Sequence, residues 1–230
     1  MPGTQVIILA KAPRPGTVKT RLIPVLGASG AAGLARCLLE QVIEEALLCG
    51  ADRIELCGAP SPDDPAWRTV RVPEGILWTT QAGGDVGERM LCALTSGLAH
   101  GDKVILTGAD CPGMDREVMR RSIASLNDHD ATLIPALDGG YVLIGLKRIH
   151  PAIMREIPWS TKVVFPRTLG RLADLGYSIA VQPALRDIDH AEDLQYLPDR
   201  PPFSEFRTVA HAHLRTPEDK VSGGANPARS

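Results

Sequence analysis

The chain has 230 residues, 44% of them hydrophobic, and a formal net charge of −2 from 25 Lys and Arg against 27 Asp and Glu. That length fits one α/β domain, or one domain with a tail, and the apolar fraction suffices for a sizeable core. A charge so near neutrality points to no overall nucleic-acid or membrane surface, so any basic site must be local.

The five cysteines, Cys37, Cys49, Cys57, Cys92 and Cys111, are odd in number and form no Cys-x-x-Cys pair, which argues against a disulfide framework and a structural zinc. Val6–Ala10 is cut short by Lys11, so no secretory leader is expected. No apolar run approaches the length of a membrane span, and a reducing cytoplasm is the expected location.

In chain order, the β-branched run 5–10 predicts a buried strand, followed by a Pro/Gly-rich loop in which Pro24 should prevent a helix from starting. Helical spacing of Leu34, Leu38, Val42 and Ala46 predicts a helix over 29–48, with Gly50 as its C-cap. Strands follow at 54–57 and 76–80, with a short helix near Trp67 between them. A helix at 87–99 and a strand at 103–107 come next, then a helix from the Asp115 cap to about Leu126. Strands at 131–137 and 141–146, a helix at 163–175 and a strand at 178–182 complete the pattern. Asp189-His-Ala-Glu192 has the form of a capping box.

Strands alternating with helices predict a three-layer α/β/α domain over 1–198 with a mostly parallel sheet. Residues 199–230 read as linker and tail, with disorder expected over 222–230; 203–214 either docks on the domain or pairs with a partner. Five polar segments, 11–21, 81–89, 108–113, 138–141 and 187–193, each follow a strand. In parallel sheets such segments gather beyond the carboxyl ends, where ligands bind.

The first segment carries Lys11, Arg14, Lys19 and Arg21 around Gly16. Cations on a Gly/Pro loop after a buried strand suit a polyphosphate, Gly16 giving the backbone close approach. A solvated surface loop is the other reading. It is not a Walker A motif, because Val18 precedes Lys19, and the spacing of Gly27, Gly30 and Gly33 does not match a Rossmann fingerprint. In Thr107-Gly-Ala-Asp110-Cys-Pro112-Gly, the carboxylate is placed either to hold Mg²⁺ or to cap a turn. Asp187 and Asp189 alternate in an extended segment and can face the same way; Asp189 is either a second carboxylate at the metal or a helix cap. Gln81 with Gly87 offers an amide and room for a flat ring beside a base, or a plain turn before a helix; Arg89 reaches a phosphate or pairs with Asp85. Asp138, Tyr141 and Trp159 are the acceptor-side candidates, against a tight turn and a core aromatic. The histidines form no catalytic set and no Gly-x-Ser-x-Gly elbow is present.

These motifs, A-K-A-P-R-P-G-T-V-K-T-R-L in the first loop, G-D-V-G-E-R-M at 84–90, T-G-A-D-C-P-G at 107–113, P-A-L-D-G-G-Y-V-L-I-G-L at 135–146, I-P-W-S-T at 157–161 and D-I-D-H-A-E-D-L at 187–194, resemble a GT-A-type transferase family labelled radical-SAM/selenodomain-associated glycosyltransferase. More distantly the layout is similar to phospholactate and molybdenum-cofactor guanylyltransferases. The resemblance implies a nucleotide-diphospho-sugar transferase-like fold, Asp110 on Mg²⁺ or Mn²⁺, Lys19 and Arg21 on phosphates and Gln81 near the base. His190-Ala191 stands where such families carry Thr-Pro, which puts Asp189 as a metal ligand in question.

The reading favoured by the basic loop is metal-dependent nucleotidyl transfer from an NTP to a small phosphorylated acceptor, with Lys19, Arg21 and Asp110 as catalytic residues. Glycosyl transfer from a nucleotide sugar is the alternative, and a non-catalytic nucleotide-binding module the third. The expected partners are the nucleotide and a small acceptor, without nucleic acid or membrane; the tail is a candidate oligomer contact.

Overall fold

Runs of Val, Ile and Leu build seven strands in a computed structural model that describes residues 3–214: β1 (Thr4–Lys11), β2 (Arg53–Ala59), β3 (Leu77–Thr80), β4 (Lys103–Thr107), β5 (Ala131–Pro135), β6 (Tyr141–Leu146) and β7 (Ile179–Val181). They pair as one sheet in the order β3-β2-β1-β4-β6-β5-β7. All neighbours are parallel except β6, which runs antiparallel to β4 and β5. Two successive reversals return β5 to the direction of β4. The carboxyl ends of β1, β3, β4, β5 and β7 therefore share one edge, and all five polar segments emerge there.

Strands covered on both faces read as continuous apolar runs, because alternate residues must each enter a core. In β1, Val6, Ile8 and Ala10 face helices α1 (Ile23–Leu47) and α3 (Arg116–Ser125), while Ile7 faces α2 (Val86–Leu98) and α4 (Val164–Asp174). The fold is thus a mostly parallel α/β/α sandwich. A fifth helix, α5 (Phe203–Leu214), lies outside α1, where Phe203 and Ala210 bury against Leu34, Leu38 and Leu194. The expected disorder at 222–230 lies outside the described residues.

Asp115 caps α3, its carboxylate accepting from the Val118 N–H at 2.8 Å. Three local expectations are corrected. Pro24 does not stop a helix: it occupies the first turn of α1, where a missing N–H leaves no bond unmade, and Gly27 (φ 69°, ψ 166°) kinks the helix just before the expected start at residue 29. The residue preceding the last 3₁₀ turn (Ala191–Tyr196) is His190, not Asp189; the Asp193 carboxylate accepts from the backbone N–H groups of Asp189 and His190. By length and composition the helical stretch Thr20–Leu47 is apolar enough to cross a membrane, contrary to the sequence estimate; in the fold, Leu39, Val42 and Ile43 pack on the sheet and Leu34 and Leu38 under α5.

Candidate nucleotide and metal site

Beyond the β1, β3 and β4 ends lies a cavity of about 510 Å³, whose lining includes Lys11, Thr17–Arg21, Gln81, Val86, Arg89, Ala109, Asp110, Asp189 and Leu39 of α1. Four of the five convergent segments contribute to it.

Lys19 is the hub. Its ammonium lies 2.6 Å from Asp110 Oδ1 and 3.0 Å from Asp189 Oδ1, and donates to the Ile188 carbonyl at 2.6 Å. The side chain is only 4% exposed. Burial alone would lower its pKa, but the two carboxylates outweigh burial and hold the group above the ordinary lysine value. Two of its N–H donors go to Ile188 and Asp189, and the contact to Asp110 is an ion pair. Lys19 was expected on phosphates; in this structure its charge is already matched.

Asp110 remains open. Its side chain is 58% exposed, and among the described residues Oδ2 has no partner. The Ile188 N–H donates to the Asp110 carbonyl at 3.0 Å, which ties the 187–190 segment to the loop after β4. Ile188 is fully buried, so Asp187 and Asp189 leave the segment on its other side, as their alternation predicts. Asp189 does not cap the following turn. Its Oδ1 meets Lys19 and its Oδ2 lies 3.4 Å from the Arg21 guanidinium. Both oxygens thus face cations in this structure.

The remaining candidates separate. Lys11 and Arg89 line the cavity, and Arg89 Nε donates to the Gly84 carbonyl at 3.0 Å rather than pairing with Asp85, which caps α2. Arg14 and Gly16 do not line it; Arg14 bonds Asp64 at 3.0 Å. Gln81 is locked in place, its amide nitrogen donating to the carbonyls of Ala10 (2.8 Å) and Cys57 (3.0 Å). Only its oxygen is left, so it meets a ligand as an acceptor.

Gly87 does admit a flat ring, but the ring is the protein's own. A Cβ there would fall 2.6 Å from the Trp159 indole, so Trp159 seals Gly87 against a base. Trp159 packs on the α2/α4 core. Tyr141 likewise turns inward: its hydroxyl sits 3.7 Å from the Met90 sulfur and 3.9 Å from that of Met154, and burial pushes its pKa up. Asp138 accepts from the Gly140 N–H at 2.9 Å, the turn reading. It also faces Asp187, whose carboxyl is pushed up to about 6 by burial, then by Asp138 and Asp189. That perturbed Asp187 had no signal beyond the alternate-residue spacing. Beside Asp110, the buried Cys111 thiol is pushed up to about 11 by burial and is no nucleophile at neutral pH.

Among the described residues no three His, Cys, Asp or Glu groups gather as a ready metal cage. The donor set still fits Mg²⁺ or Mn²⁺: hard cations of this kind take one or two carboxylates and complete their shell with water and phosphate oxygens. Asp110 supplies such a carboxylate at the mouth of a cationic cavity.

The family model described as "Uncharacterized protein conserved in bacteria (DUF2064)" matches residues 42–161, over half of the chain. The chain belongs to this DUF2064 family. The matched region holds Gln81, Asp110, Asp138 and Trp159, while the basic loop and the 187–190 segment lie outside it. A search of curated proteins finds no match. Among solved structures, this DUF2064 member is similar to a provisionally named nucleotide-diphospho-sugar transferase from Desulfovibrio desulfuricans G20 (25% identity, TM-score 0.79, covering 91% of this chain and 94% of that one). It also shares a fold with 4-diphosphocytidyl-2C-methyl-D-erythritol synthase from Anaerococcus prevotii DSM 20548 (13%, TM-score 0.54, 93% and 98%). A third is Rv0371c from Mycobacterium tuberculosis H37Rv in complex with manganese (16%, TM-score 0.54, 85% and 97%). Its fold is that of nucleotide-diphospho-sugar transferases and nucleotidyltransferases.

Proposed function

We propose that this protein is a divalent-metal-dependent nucleotidyltransferase, joining the NMP of an NTP to a small phosphorylated acceptor. One observation carries the reading: Lys11, Arg89 and the exposed Arg21, whose one ion pair is the 3.4 Å contact to Asp189, share a single cavity with the half-free carboxylate of Asp110. A triphosphate brings more negative charge than the diphosphate of a nucleotide sugar, and so matches that lining better.

Asp110 would hold the metal, which when bound would offset charge on the phosphates. Lys11, Arg21 and Arg89 would position the β- and γ-phosphates and stabilise the leaving pyrophosphate. The Gln81 oxygen would accept from a base N–H. In the transfer, an acceptor phosphate oxygen forms a bond to the α-phosphorus as the bond from that phosphorus to the β-bridging oxygen breaks; the electron pair leaves with pyrophosphate. An ionised phosphate needs no proton removed, in keeping with the lack of a histidine among the described residues that line the cavity.

Glycosyl transfer is the second reading, favoured by the name of the Desulfovibrio protein. A hydroxyl acceptor would then need a base, and the Asp138–Asp187 pair is its place. The products separate the two. Incubated with Mg²⁺, each NTP or nucleotide sugar and a cell extract, the protein is expected to release pyrophosphate from an NTP. Release of a nucleoside diphosphate from a nucleotide sugar would select the second reading, and neither product would leave a binding module.

A further inference from the structure

Lys19 holds both carboxylates, Asp110 and Asp189, that would otherwise be open to a divalent cation. Its ammonium holds Asp110 Oδ1 at 2.6 Å, Asp189 Oδ1 at 3.0 Å and the Ile188 carbonyl at 2.6 Å, and its side chain is 4% exposed. A divalent cation and this ammonium cannot share those oxygens, because like charges at such separations repel strongly in a partly dry cleft. Lys19 also has a left-handed backbone (φ 45°, ψ 41°), an uncommon conformation for a residue with a Cβ. Gly16 (φ 82°) and Gly27 (φ 69°), both at positive φ as well, flank its segment.

We propose that the Lys19 ammonium is a resident cation that closes the metal position at Asp110 and Asp189, and that the polyphosphate of an incoming nucleotide draws it away. The proposal rests on reading the cavity as a metal–nucleotide site. Without nucleotide the two carboxylates are neutralised from within and metal alone gains nothing by entering. With nucleotide, the phosphates give the ammonium a new anion, Asp110 and Asp189 are exposed, and metal and nucleotide bind with positive coupling. Lys19 is then both the lock on the resting site and, once moved, a phosphate ligand.

The test is Mn²⁺ binding without nucleotide, followed by the electron paramagnetic resonance of the free ion. Lys19→Met is expected to bind Mn²⁺ roughly tenfold or more tightly than wild type. Adding a non-hydrolysable triphosphate to wild type should close that gap, once the Mn²⁺ that the triphosphate binds by itself is subtracted with a protein-free control. Equal affinity in the two proteins, whether both tight or both weak, overturns the proposal. So does tight binding that survives Asp110→Asn in the Lys19→Met background, since the metal would then lie elsewhere. Should Lys19→Met fail to fold, Lys19→Gln carries the same prediction, because its amide can still donate to the Ile188 carbonyl. An intact Mn²⁺ difference without pyrophosphate release would remove the reaction class and leave the lock standing; pyrophosphate release without the difference would do the reverse.

Discussion

Individual side chains at the sheet edge carry distinct, separable burdens. Asp187 is buried enough, and near enough to Asp138 and Asp189, to be raised to about 6 in the fold. Between the unfolded aspartate value and about pH 6 the native state binds the extra proton. Stability from this group is therefore full at the acid end of that window and falls as pH rises through about 6. Asp187→Asn should flatten that slope and raise stability at pH 7.5 by about 1 kcal/mol, allowing for partial exposure; denaturant melts at pH 4.5 and 7.5 would show it, and an unchanged slope would reject it. Among the arginines, Arg89 lines the cavity and Arg14 does not. Arg89→Ala should raise the nucleotide KM about tenfold or more, the loss of one charge-assisted bond, whereas Arg14→Ala should leave it nearly unchanged in steady-state kinetics. Both arginines are basic residues near glycines in the sequence. What separates them is Asp64, an ion-pair partner 50 positions away, and no local pattern reports such a pairing.

At the scale of elements, α2 and α3 begin where Asp85 and Asp115 accept from backbone N–H groups. Asp115 capping α3 was legible because the signal is confined to a few adjacent residues. The start of α1 was not: Pro24 is forbidden in a helix interior but suits its first turn, and only the Gly27 kink shows which case applies. Gly87 shows the same limit. A glycine at the mouth of a helix signals close approach, yet the ring that approaches, Trp159, arrives from a loop more than 70 residues later. Gly87→Ala would push a methyl into the indole, at an overpacking cost of about 1–3 kcal/mol. It should shift Trp159 fluorescence and lower the melting temperature, and a variant with native stability and spectrum would refute the contact.

The whole molecule brings together what the elements cannot. Alternation of strands and helices was enough to place 11–21, 81–89, 108–113, 138–141 and 187–193 on one edge, because a crossover connection keeps parallel strands in one direction. The antiparallel β6 leaves that outcome intact, since β5 reverses again. Convergence was thus readable from order alone, while the division of labour at the edge was not. Lys19 going to Asp110 and Asp189 joins residues 91 and 170 positions apart, and Tyr141 turning into the core depends on the register of β6. The resulting edge brings the Asp110 carboxylate, the paired Lys19 and the cations Lys11, Arg21 and Arg89 to one cavity.

Label transfer tests that account most directly. NTPs carrying ³²P at the α or the γ position would be incubated with Mg²⁺, the small-molecule fraction of a cell extract, and either wild type or Asp110→Ala, with circular dichroism confirming that the variant keeps its fold. The expected result is α-label in a new small-molecule product and γ-label in pyrophosphate with wild type, and neither with Asp110→Ala. Wild type leaving the α-label in nucleotide, or Asp110→Ala transferring it as well as wild type, would contradict the account.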